Sequence, residues 1–71
     1  MQIPKKQTEQ IDHAEAGKVI RGLREAKGQR QKEVASGIGI SIPLYSAMEA
    51  GKRNWTEERF NKAVEVIEAL K

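Results

Sequence analysis

The stretch from Gln31 to Ala50 constrains this chain most, because it reads as two helices too short to stand alone, joined by a tight turn. Val34, Ala35 and Ile38 give one apolar side to a helix from Gln31 to about Ile38. Gly39 is the natural turn residue, since glycine enters the left-handed region without steric cost. Ser41 then caps a third helix running to about Ala50, with Pro43 placed where the backbone N–H groups lack partners anyway. Isolated helices shorter than about 12–15 residues are marginal in water, so this pair needs a platform of longer elements.

The flanking sequence supplies one on each side. Asp12 with Glu15 three residues on has the form of an N-cap and capping box. Ala16, Val19, Ile20 and Leu23 then fall on one helical face, and Gly28 ends the element with Lys27 at its negative end. Gly17 and Gly22 sit inside this helix at a cost of roughly 1 kcal/mol each, which points to close helix approach. Thr56 caps a last helix with Glu57 and Glu58 in its first turn, and Phe60, Ala63, Val64, Ile67 and Leu70 form its stripe. No strand alternation or internal repeat interrupts the pattern. The fold class expected is all-α: a compact domain of four to five helices over residues 12–71, preceded by a flexible arm over residues 1–11. Pro4 blocks a helix in that arm, and it reads either as a frayed terminus or as a basic arm with Lys5 and Lys6 on a phosphate backbone.

The 71 residues leave room for one small, marginally stable domain. There is no cysteine, so disulfides and thiolate metal sites are excluded; one histidine, His13, assembles no metal site and reads as an exposed helix-start residue. No cofactor is expected. No apolar run approaches the ~20 residues that cross a bilayer, and no secretory leader is visible, so a cytoplasmic location and no membrane partner are expected. No nucleophile–base pair, phosphate loop or paired carboxylate is present to support catalysis. The formal charge is +3: residues 1–27 carry six bases and four acids, residues 28–55 four and two, and residues 56–71 three and four. Positive charge therefore avoids the last helix. A second short helix propped outward on such a platform can enter a DNA major groove, about 12 Å wide.

The residues that agree at fixed spacing are Gly17, Ile20, Leu23, Arg24, Glu25, Lys27, Gly28, Gln31, Val34, Ala35, Gly39, Ile40 and Ser41, followed by Tyr45, Met48, Glu49, Gly51, Lys52 and Arg53. Over residues 14–70 this pattern resembles the lambda-repressor-like helix-turn-helix family of Cro and repressor type, also called XRE. The resemblance implies a double-stranded DNA partner, and it implies roles. Gln31 corresponds to the side chain that clamps a phosphate. Ala35 and Gly39 correspond to the small residues of the crossing. Tyr45 and Met48 fall on the buried face. Arg24 and Glu49 correspond to an internal ion pair. Ser41, Ile42, Pro43, Ser46 and Ala47 occupy the exposed start and outer face of the recognition helix, and Lys52, Arg53 and Asn54 the loop that grips the backbone.

The chain departs from that pattern in two places, the recognition helix and the head of the second helix. Ile42, Pro43 and Ala47 stand where the family often carries amides or cations, so hydrogen-bonding readout is left to Ser41, Ser46 and Tyr45, with thymine methyl contacts, groove shape and the arm supplying the rest. Arg30 stands where a capping Ser or Thr is usual; it cannot cap, and is read as a phosphate contact together with Lys27, Lys32, Lys52 and Arg53. Trp55 is read as core or as a dimer contact, and Val66 and Leu70 as further dimer candidates. The function expected is a repressor-like transcriptional regulator of bacterial or phage origin, dimeric on a palindromic operator. The alternative is an antitoxin or other protein-interaction module on the same fold, binding a toxin or another regulator.

Overall fold

The computed structural model describes residues 1–69. Among them stand four helices: α1 (His13–Ala26), α2 (Gln31–Ile38), α3 (Ile42–Glu49) and α4 (Glu57–Ala69). Each begins where a side chain takes up backbone donors that the helix leaves free. Asp12 Oδ1 accepts from Glu15 N at 3.1 Å, Ser41 Oγ from Leu44 N at 3.2 Å, and Thr56 Oγ1 from Arg59 N at 3.1 Å. Arg30, at the head of α2, has no acceptor to offer. Half of a capping box is built there instead, because Glu33 reaches back and its Oε1 accepts from Arg30 N at 2.9 Å. Gly39 closes α2 at φ 88°, with its N–H and that of Ile40 both donating to the Ala35 carbonyl.

α1 and α4 flank the short pair, and each packs against both neighbours: α1 on α3 and α4, α2 on α3 and α4. Trp55, Tyr45, Phe60, Ile20, Met48, Ile67 and Val34 are the largest fully buried side chains, drawn from all four helices and the loop before α4. The Trp55 and Phe60 rings meet edge to face, 6.0 Å apart at 78°. Trp55 Nε1 donates to the Met48 carbonyl at 2.9 Å, and Trp55 N donates to His13 Nδ1 at 2.8 Å. His13 is thus a half-buried tie between the start of α1 and this loop, not a free surface residue.

Residues 1–11, expected as a flexible arm, fold back on the domain. Lys5 and Ile11 form an isolated antiparallel bridge, Lys6 N donates to Gln10 O at 2.7 Å, and Asp12 N donates to Pro4 O at 2.9 Å. The physical reason is Ile3, which is 7% exposed and joins the core, with Ile11 packed beside it. Two isoleucines eight residues apart carry no helical or strand period, so the sequence pattern gave this loop no signal.

The two internal glycines of α1 differ. A Cβ on Gly17 would lie 2.6 Å from the Met48 carbonyl oxygen and closer still to that of Glu49, whereas one on Gly22 meets nothing within 4 Å. Only Gly17 marks a close approach. Val66, read as a dimer candidate, is half-buried: it packs against the core, and its methyl groups occupy the space over Gly37. Trp55 is 1% exposed and leaves nothing for a partner chain to cover. Leu70, the remaining dimer candidate, lies outside the described residues.

Candidate nucleic-acid interface

The turn at Gly39 sets α3 against α2 with the start of α3 left in solvent. Ser41, Ile42 and Pro43 are exposed, Ser46 and Ala47 half-buried, and Tyr45, Met48 and Glu49 buried. Tyr45 therefore belongs to the inner face of α3, and the expectation that it also reads DNA does not survive its complete burial. Ser41 already uses its hydroxyl oxygen as the cap of α3. Ser41→Ala is expected to cost about 1 kcal/mol of stability, read as a lowered urea midpoint.

Beneath this face lies the ion pair that joins the end of α3 to α1. Arg24 Nε donates to Glu49 Oε2 at 2.7 Å, Arg24 Nη2 to Glu49 Oε1 at 3.1 Å, and Arg24 Nη1 to the Gln29 carbonyl at 2.8 Å. The side chains of Arg24 and Glu49 are 12% and 3% exposed. Burial pushes the Glu49 carboxyl upward, but the hydrogen bonds from Arg24 and Gln31 outweigh it and hold the group below the usual carboxylate range. The hydrogen bond with Glu49 raises the Arg24 guanidinium in turn. Burial first, and then the nearness of Glu49, push the Tyr45 phenol up; its hydroxyl has no hydrogen-bond partner of good geometry.

Gln31 heads α2 and donates from Nε2 to Glu49 Oε1 at 3.1 Å. That bond fixes the amide at the mouth of a shallow hollow lined by Arg21, Arg24, Gln31, Ser46, Glu49 and Ala50. The bond to Glu49 uses one of the two amide protons of Gln31 and leaves the other for a further acceptor. On the other side of α3, Leu44, Lys52, Arg53, Asn54 and Arg59 line a second hollow. Lys52 N donates to the Ala47 carbonyl at 2.9 Å, so the loop is tied to the last turn of α3 while its side chains stay exposed. The exposed cations Arg30 and Lys32 stand at the head of α2. Lys27 does not join them, because its Nζ turns to the Glu68 carbonyl of α4 at 3.4 Å. Lys5 sits 3.7 Å from Glu57 at the head of α4.

Arg21 and Arg59 are the charged members of these hollows that sequence reasoning passed over. Arg21 lies three residues before Arg24, hence on nearly the same face of α1, and that spacing could have revealed it. Arg59 is masked by its setting, an acidic first turn on a helix legible mainly through its apolar stripe.

A family model described as a helix-turn-helix domain matches residues 15–70. The chain belongs to that helix-turn-helix family. Within that domain α2, the Gly39 turn and α3 form two short helices joined by a tight turn, the arrangement of a helix-turn-helix. The fold is that of a DNA-binding domain, in a family that typically binds and does not catalyse. A comparison with curated proteins gives no match. Among the described residues no helix is long and apolar enough to cross a membrane, and no three metal-ligating side chains converge.

Proposed function

We propose that this helix-turn-helix protein is a sequence-specific transcriptional regulator, acting as a repressor-like homodimer on a palindromic operator in the cytoplasm of a bacterium or of a phage host. The observation that carries the reading is the exposed start of α3, Ser41 to Pro43, together with two exposed basic clusters, Arg30 and Lys32 at the head of α2 and Lys52 and Arg53 in the loop after α3. A helix seated in the major groove has phosphates on either side of it, and exposed cations near its ends supply charge for them. Gln31, Ser46 and Asn54 complete the set of polar groups facing the backbone, with Arg21 and Arg59 behind them. Dimerisation is part of the proposal; buried Trp55 has no role in it, and half-buried Val66 offers only its remaining surface.

Selection of binding sites from a random duplex pool tests the reading. The expected result is an enriched palindrome whose half-site centres lie about ten base pairs apart, one helical turn. The double variant Lys52→Ala/Arg53→Ala is expected to weaken binding to all sequences alike and to reduce the slope of log affinity against log salt by about 2, at about 0.9 per phosphate contact. An unchanged slope would remove the loop from the interface. The exposure of Ile42 on α3 supports a second reading, an interaction module of antitoxin type docking an apolar protein surface. Absence of any enriched sequence, together with capture of a protein partner through α3, would favour it.

A further inference from the structure

The recognition helix lacks the usual means of reading bases. No charged residue stands between Ile38 and Glu49, and no Asn or Gln lies in that stretch. Of the hydroxyl groups on this segment, that of Ser41 caps α3, that of Tyr45 is buried, and that of Ser46 lies beside the Arg24–Glu49 pair and Gln31, where the backbone is expected. Pro43 adds a second apolar surface, and Ala47 a methyl group one turn further on. Ile42 itself is 48% exposed; apart from the chain-end Met1 it is the large hydrophobic residue that the described structure leaves in solvent. The same molecule buries Ile3, nine residues before its first cap.

A major groove offers one apolar group large enough to pack on such a surface, the C5-methyl of thymine, beside the hydrogen-bond donors and acceptors of the base edges. Resting on the regulator reading above, we propose that α3 recognises thymine by its C5-methyl group, with Ile42 as the residue that determines specificity and with Pro43 and Ala47 extending the contact. Affinity and discrimination are then separated in the molecule. The flanking cations Arg30, Lys32, Lys52 and Arg53 supply attraction that is blind to sequence, and the apolar tip of α3 supplies the choice.

Deoxyuridine tests this directly, because it deletes the methyl group and leaves every hydrogen-bonding group of the base in place. Single thymines in the enriched duplex are replaced one at a time, and binding is measured with the unaltered protein and with Ile42→Ala, whose site lies outside the core. At one or two thymines per half-site, uridine is expected to weaken binding about fourfold, the factor set by one buried methyl group. Ile42→Ala is expected to lose a similar factor on the thymine duplex and to bind the thymine and uridine duplexes alike. The thymine-to-uridine ratio should stay constant as salt is raised, while affinity for both duplexes falls. Tolerance of uridine at every position of an enriched site overturns the methyl contact and leaves the regulator reading standing, as does discrimination that persists in Ile42→Ala. A pool with no enriched sequence removes the regulator reading, and this inference with it.

Discussion

Gly17→Ala is expected to unfold a large fraction of the protein at room temperature, while Gly22→Ala, the same substitution five residues on in the same helix, is expected to stabilise it. At Gly17 the new methyl carbon would lie 2.6 Å from the Met48 carbonyl oxygen, 2.8 Å from the Glu49 carbonyl carbon, and closer again to the Glu49 oxygen. All three are backbone atoms at the end of α3, so no side chain can swing aside. Relief requires α1 and α3 to separate, which lengthens the Arg24–Glu49 bonds and loosens the core that holds Ile20, Tyr45 and Met48 together. Overpacking of this kind costs about 1–3 kcal/mol, and more where the backbone must move. A core in a chain of this size rarely supplies more than about 3–5 kcal/mol in all, so the variant sits near its unfolding midpoint. At Gly22 the side chain enters open space on an exposed helix interior, where Ala is favoured over Gly by about 1 kcal/mol. That raises the melting temperature by roughly 4–8 °C in a domain of this length. Thermal unfolding followed by circular dichroism checks both; a Gly17→Ala variant as stable as the parent would show that α1 and α3 are not in close contact.

The two glycines also show where the sequence stops being informative. The helices were legible because caps and stripes are local: Asp12 with Glu15, the turn at Gly39, Ser41 before Pro43, and Thr56 before two glutamates each satisfy backbone groups within four residues. Gly17 and Gly22 look alike by the same local rules, and only the path of α3 over α1 separates them. Arg30 reads as an uncapped helix start until Glu33 is seen to bend back to its N–H. Residues 1–11 lack periodicity, so the burial of Ile3 had to come from the tertiary fold. At the candidate interface the exposed tip of α3, the basic loop and the inward face of Tyr45 and Met48 follow from the pattern, whereas Lys27 reaching α4 depends on a contact between helices far apart in sequence. Gln31 combines the two cases: its place at the head of α2 is local, but its bond to Glu49 joins residues 18 apart in sequence.

Glu49→Ala is the other substitution expected to bring the domain to the edge of unfolding, and it carries a pH signature that the glycine variant lacks. Glu49 accepts two bonds from Arg24 and one from Gln31 in a setting almost closed to solvent. Removing it leaves the Arg24 guanidinium, itself 12% exposed, without a counter-charge and strands the Gln31 amide. Breaking a buried pair from one side costs about 3–5 kcal/mol, comparable with the whole stability of the domain. Glu49→Gln keeps the shape and one acceptor oxygen, so it is expected to lose less. Because the folded protein holds the Glu49 carboxyl below its ordinary range, the unfolded chain takes up that proton first as the solution is acidified. The pair therefore contributes fully above the ordinary carboxylate value, about pH 4.3, and its contribution fades as pH falls through the lower folded value. Urea midpoints at pH 7 and at pH 3 separate this effect from that of the remaining carboxylates. The gap between the parent protein and Glu49→Gln should be wide at neutral pH and narrow in acid. A gap independent of pH would mean that shape and packing, and not the charge of Glu49, hold α3 to α1.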